Sequence, residues 1–316
     1  MLKRKLFAVL AFVLAPGIVA AAAAADADPA IRHQGTSHDA LFDIAFDGAR
    51  GIAVGNRGVV LESDDGGKTW THGPRPNTEL ALLGVASNGD RRFAVGQSGQ
   101  IFRATSRAWT AIESGTDERL FAVAVGSKGM VVVVGAFGTI LVSQNDGESW
   151  SPVVLDWMAI LGDYLEPHFY AVHIDGDTVT IGGEFGLVIR SRDRGTTWTV
   201  AHKGEASIFD FSFNGRGKGL AIGQNGLVVR TEDGGASWRS VAPLGETNLL
   251  GVWFNGERAL TVGIRGAFAS RDGGRSWTAV TTGDVEIAWY QAIASPAGRD
   301  TPLAVGHSGR ILEIKE

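Results

Sequence analysis

Six tryptophans, Trp70, Trp109, Trp150, Trp198, Trp238 and Trp277, recur along this chain at spacings of 39, 41, 48, 40 and 39 residues. A period near 40 marks a repeat array, in which each unit is too small to bury its own apolar face and must stack on its neighbours. Five of the tryptophans close the same eight-residue segment, Ser63–Trp70, Ser143–Trp150, Ser191–Trp198, Thr231–Trp238 and Ser270–Trp277. The shared pattern is S/T-x-x-x-G-x-S/T-W, with Asp65, Asp193, Asp233 and Asp272 at its third position. The segment at 143 carries Asn145 there and Asp146 next to it, and a sixth copy, Thr105 to Trp109, keeps only its tryptophan.

The chemistry of this segment is that of a turn. An Asp side chain accepts N–H groups of its own turn, Gly supplies a backbone angle that other residues resist, and a Ser or Thr hydroxyl ties the ends. Asp64-Asp65-Gly66 and Asn145-Asp146-Gly147 lack the twelfth-position carboxylate of a helix–loop–helix calcium site, which favours the turn reading over a metal site. Trp70, Trp198, Trp238 and Trp277 then begin the next strand and fill the wedge between sheets.

Upstream of each turn stands a short apolar strand ending in Gly and followed by Gly-x-x-Gly. There are seven copies, from Ile52-Ala-Val-Gly55 through Phe93-Ala-Val-Gly96, Val132-Val-Val-Gly135, Thr180-Ile-Gly-Gly183, Leu220-Ala-Ile-Gly223 and Leu260-Thr-Val-Gly263 to Leu303-Ala-Val-Gly306. Four short strands per unit and seven units predict an all-β, seven-bladed β-propeller over residues 26–316. The last unit runs out at Glu316 before its outer strand. One period before Trp70 falls Ile31, so Ala30-Ile-Arg-His33 is expected to complete blade seven beside Ile311-Leu-Glu-Ile314. Such closure removes the open edges of the ring.

Residues 1–25 read as a separate object. Lys3, Arg4 and Lys5 precede an apolar run from Leu6 to Leu14, Pro16-Gly17 break it, and alanines 20–25 offer small-residue cleavage sites. That layout predicts a secretory signal peptide too short to span a membrane comfortably, hence a periplasmic or secreted mature protein that does not insert in the membrane. Removing the leader's three bases takes the formal net charge from −5 to −8. An acidic mature chain argues against nucleic acid as a partner. The chain has no cysteine, and its seven histidines form no metal-ligand spacing, so no metal or cofactor is expected.

In a four-stranded blade the Asp turns fall on one face, and the Gly-x-x-Gly turns and blade-to-blade loops on the other. Variable residues collect on the second face, among them Arg57, Phe137, Phe185 and Arg265. Exposed aromatics with arginines nearby are typical anchors of a protein interface. The widest tryptophan gap marks an insertion, Val153 to Pro167, in which Trp157, Met158, Ile160, Leu161, Tyr164 and Leu165 are expected to give a short helical turn with one apolar side. Loops are normally polar, so this one either packs on the propeller or covers a partner; since a regular blade has no spare core to receive it, Trp157, Ile160, Leu161 and Tyr164 are assigned to a partner surface.

The tandem Asp boxes, the Gly-x-x-Gly turns and the leader together resemble the Ycf48/Hcf136-like family of seven-bladed propellers over essentially the whole mature chain. The resemblance implies a monomeric, non-catalytic scaffold that binds a protein partner, an integral membrane complex, as an assembly or accessory factor. Members of the family are photosystem II assembly factors, and relatives in non-photosynthetic bacteria accompany transport systems of the RND type. Photosystem members bind through an arginine patch; Arg57 and Arg265 lie on the corresponding kind of face here, and the full patch has no residue-by-residue match.

Asp boxes also occur in sialidases, so a glycoside hydrolase or a carbohydrate-binding propeller is the alternative. A sialidase-like site needs three arginines, a tyrosine nucleophile with a glutamate beside it, and an acid. None of the inner-strand centres contains an arginine, and Tyr170 and Tyr290 fall at repeat positions that read as core. Asp43 and Asp210 occupy equivalent inner-strand positions and are read as polar groups at the channel mouth rather than as an acid/base pair.

Overall fold

The computed structural model describes residues 30–105 and 108–315, so the leader assigned to residues 1–25 lies outside the described residues. Those residues form seven four-stranded antiparallel sheets, six of them built from strands consecutive in the chain. Blade one is Leu41–Asp47, Arg50–Gly55, Val60–Ser63 and Thr71–His72, from the channel outward. The seventh sheet is Tyr290–Ala294, Leu303–Gly306 and Ile311–Glu313, and its outer strand is Ile31–His33 from the other end of the chain. A buried charge cluster fixes this seam. The Glu313 carboxylate pairs with Arg32 on one oxygen and with Arg299 at 2.6 Å on the other, and Arg299 also donates to the Gly66 carbonyl of blade one.

The core lies between blades. Leu41, Ile44, Ala53 and Trp70 of blade one pack on Leu303, Val305 and Ile311 of blade seven, and similar clusters fill the other wedges. The Asp boxes hold their turns as their chemistry predicts. Asp65 accepts the N–H groups of Lys68 and Thr69 on one oxygen and the Thr69 hydroxyl at 2.6 Å on the other, while Trp70 donates to the Gly67 carbonyl. Those donors, led by the Thr69 and Thr197 hydroxyls, hold the Asp65 and Asp193 carboxyls down at about 2. Asn145 keeps the geometry with one bond reversed, donating to the Ser149 hydroxyl. No group of three or more metal-ligating side chains occurs among the described residues, and no helix there is long and apolar enough to cross a membrane.

One irregularity recurs in every blade. The first residue of the inner strand pairs with the glycine that ends the second strand, as in Leu41↔Gly55, and the register then slips by one. The inner strand starts so close to that glycine that a Cβ on Gly55 would lie 1.9 Å from the Ala40 carbonyl oxygen. The bulge frees one residue per blade, and these seven, Phe42, Leu83, Phe121, Tyr170, Phe209, Leu250 and Gln291, all line the channel.

Candidate partner-binding site

Each Gly-x-x-Gly turn places its third residue in the left-handed region. Arg57, Ser98, Phe137, Phe185, Asn225, Arg265 and Ser308 all have φ between 49° and 58°. Asn, Gly and to a lesser extent Ser tolerate that conformation, whereas a bulky side chain there costs about 1–2 kcal/mol. Phe137, Phe185, Arg57 and Arg265 therefore occupy strained positions, and strain of this kind concentrates at binding sites. Phe137 and Phe185 are 57% and 38% exposed, so solvent-shielded packing does not compensate for it.

The two phenylalanines sit on adjacent blades, tied through the loop between them. The Phe137 N–H donates to His168 Nδ1 at 2.9 Å with the rings 4.8 Å apart, and the His168 N–H donates to Glu184 in the next turn. From His168 an aromatic band runs inward along the channel rim, with Phe121 and Tyr170 5.4 Å apart and Tyr170 and Phe209 5.3 Å apart. Arg57 and Arg265 are exposed on blades one and six, and the structure does not bring them to this band.

The band corrects one sequence reading. Tyr290 is core, 1% exposed, at the register position of Phe169, but Tyr170 is the bulged channel residue of its blade, equivalent to Gln291. The repeat aligns by composition to within one residue only, and a one-residue slip moves a side chain from core to channel. Phe121 and Phe209 join the site for the same reason, and His168, just before its inner strand, joins through its contacts with Phe137 and Tyr170. Knowledge of the recurrent bulge would have placed the first two there.

The insertion divides into two parts. A short helix, Trp157–Leu161, is capped by Asp156, whose side chain accepts the Ala159 N–H, and ends at Gly162 with φ 76°. Trp157, Ile160 and Leu161 are half-buried against blades three and four. The blade does have room for them: the Trp157 indole lies over Gly138, where a Cβ would come within 2.9 Å of it. The large apolar residues left facing solvent are Val154 before the helix and Met158, Tyr164 and Leu165 on and after it, with Val154, Tyr164 and Leu165 89%, 79% and 54% exposed. Helix packing thus fixes the segment, and the chain on either side of it presents most of these side chains.

The distribution of exposed apolar groups is one-sided. Among the described residues ten large hydrophobic residues are exposed: Leu80, Phe137, Val154, Met158, Tyr164, Leu165, Phe185, Ile264 and Ile287 lie in Gly-x-x-Gly turns or blade-to-blade loops, and Val200 lies in an outer strand. Loops on one face of a rigid ring are where binding residues collect, and apolar side chains gathered there mark an interaction surface.

Asp43 and Asp210 both line the channel, in a cavity of roughly 370 Å³. Each ties two blades together. Asp43 accepts the N–H of Ile44 in its own strand and of Val85 in the next blade, and Asp210 does the same with Phe211 and Val252, all at 2.7–2.8 Å. Burial pushes both carboxyls up to about 7 against the pull of these donors, with the Asp43 charge adding to the rise at Asp210. A carboxyl whose pKa is higher in the folded chain than in the unfolded one binds more protons on folding, so stability falls as pH rises through the interval between the two values. Denaturant melts between about pH 4 and pH 7 are expected to show that decline, levelling above it, and a variant with Asp43→Asn and Asp210→Asn to flatten it. An equal slope in both proteins would remove the two aspartates from the explanation.

The fold is that of an Asp-box seven-bladed β-propeller with its exposed apolar side chains gathered on one face. The BNR/Asp-box repeat model matches residues 61–72. In sequence the chain is 28% identical over 182 residues to the "Photosystem II assembly protein Ycf48" of Synechococcus sp. (strain JA-3-3Ab), which covers 55% of this chain and 53% of that relative. The match therefore spans about half the length of the curated relative. Among solved structures, Ycf48 from Cyanidioschyzon merolae superimposes with TM-score 0.72 at 21% identity, covering 90% of this chain and 97% of that one. A Ycf48 bound to a D1 peptide gives TM-score 0.69 at 18% identity, covering 93% and 97%. The chain is an Asp-box β-propeller that is similar in sequence, over about half its length, and in fold to Ycf48 proteins.

Proposed function

We propose that this protein is a non-catalytic, monomeric propeller that docks a segment of a protein partner on its Gly-x-x-Gly face, as an assembly or accessory factor for a membrane complex. The observation that carries this is the concentration of exposed apolar side chains on that face, led by two phenylalanines in strained left-handed turns. The relative's role in photosystem II assembly and the neighbour's bound D1 peptide support a protein segment as the ligand. The leader's layout supports a periplasmic setting, where a photosystem-like complex or an RND-type transporter is the partner.

One observation favours hydrolysis instead. The Tyr170 hydroxyl lies 3.5 Å from Glu184, the tyrosine–glutamate pairing of a sialidase-like site. Burial and the Glu184 charge push that phenol up to about 12, which opposes its use as a nucleophile. The described channel lining also includes no arginine to grip a carboxylate.

Affinity purification of the tagged protein from detergent-solubilised membranes of its own host tests the proposal, beside a variant lacking residues 155–166. One integral membrane complex is expected with the intact protein and not with the deletion. Recovery of nothing from membranes by either form overturns the reading and returns sugar binding and hydrolysis to the front.

A further inference from the structure

The charge around the aromatic face is as uneven as its apolar character. The three successive loops 113–119, 153–168 and 203–207 carry seven carboxylates and two cations, Arg119 and Lys203. Lys203 is spent within the protein, donating to the Ile160 carbonyl. Hydrogen bonds join these loops into one surface with the two phenylalanine turns. Ala136 donates to the Arg119 carbonyl, Gly138 to that of Pro167, and Gly204 to that of Phe185.

On the opposite face many acids are paired, while among the described residues Asp64 and Glu148 there are exposed and enter no ion pair. Asp47 and Asp90 pair with Arg50, Asp146 with Arg91, Asp177 with Arg194, and Glu257 with Lys218. Among the described residues, Asp163, Glu166 and Glu205 are exposed and enter no ion pair. Unpaired carboxylates of one sign around exposed aromatic and aliphatic side chains repel an anionic lipid surface and attract a ligand that is cationic and apolar together.

We infer that the partner segment docked over blades three and four is basic and apolar, with lysine or arginine side chains reaching Asp163, Glu166 and Glu205 while its apolar side chains cover Phe137, Phe185 and Tyr164. This rests on the reading of the face as a docking surface and adds the chemistry of what it takes. Arginines on blades one and six lie outside the contact, so a complex held through them would have the opposite charge logic.

The test uses the purified protein and two labelled peptides of equal length, one alternating leucine with lysine and the other leucine with glutamate, read by fluorescence anisotropy. The lysine peptide is expected to bind, with an affinity that falls as salt screens the surface, and the glutamate peptide is not. Asp163→Asn, Glu166→Gln and Glu205→Gln together are expected to weaken the lysine peptide about tenfold at low salt. The control variant neutralises an equal number of exposed acids on the other face, Asp64→Asn, Asp90→Asn and Glu148→Gln, and is expected to leave binding within about twofold. Thermal melts establish that both variants are folded.

Equal binding of the two peptides overturns the inference, as does equal weakening by the two variants or sedimentation of the protein with phosphatidylglycerol vesicles. If a captured partner nevertheless shields Phe137 and Phe185, the docking face stands and only its charge preference falls.

Discussion

Glu313→Ala is expected to lower the melting temperature by about 5–10 °C, while Asp90→Ala is expected to change it by less than about 2 °C. Both substitutions break ion pairs with arginine, and burial separates them. The Glu313 side chain is 5% exposed and its arginine partners are about a quarter exposed, whereas Asp90 is almost fully solvated. Removing one member of a buried pair leaves its partner's charge without compensation, at a cost of about 3–5 kcal/mol, and the partial exposure of Arg32 and Arg299 points to the lower end. The consequence is global, because Arg32 belongs to the one strand that joins the two ends of the chain, and Ile31–His33 is the edge that seals blade seven. Once it detaches, Ile311–Glu313 presents unpaired backbone groups to solvent. A calorimetric scan of the two variants beside the parent measures this directly. A Glu313→Ala protein melting within about 2 °C of the parent would mean that the seam bears little of the ring's stability.

The second large effect separates binding from stability. Phe137→Gly with Phe185→Gly is expected to leave the melting temperature nearly unchanged and to weaken partner binding by several hundredfold. Glycine relieves about 1–2 kcal/mol of left-handed strain at each site, and that relief offsets the extra backbone entropy lost on folding, about 0.5–1 kcal/mol, together with the ring contact to His168. Each exposed aromatic anchor is worth about 2 kcal/mol to an interface, or roughly 30-fold. Phe→Ala at the same sites is expected to lose binding equally but to melt lower than the glycine pair, because alanine keeps the strain. A glycine pair that unfolds more readily and still binds would return both residues to the role of packing groups.

Much of the ring was legible because repetition reinforces local signals. Seven copies of the second strand and five Asp boxes gave blade number and turn chemistry, and one period before Trp70 gave the strand beside Ile311–Glu313. The site was legible in outline only. Phe137 and Phe185 stood out as bulky residues at a turn position held elsewhere by Ser, Asn or Arg. The division of the insertion into packed Trp157, Ile160 and Leu161 and presented Tyr164 and Leu165 was hidden, because the space over Gly138 that accepts the indole is a property of three dimensions. Tyr170 was misplaced because the bulge sits where strand composition is apolar on both sides of the slip. The blade-linking role of Asp43 and Asp210 depends on N–H groups 42 residues away, a distance at which only the fold makes partners.

Amide hydrogen exchange of the protein, free and with its captured partner, is the most direct test of the docking face. Protection is predicted in the turns at 136–138 and 184–186 and in the loop 162–168, with the Asp turns at 64–69, 192–197 and 232–237 unchanged. Protection centred on the Asp turns, with the phenylalanine turns exchanging as in the free protein, would contradict it.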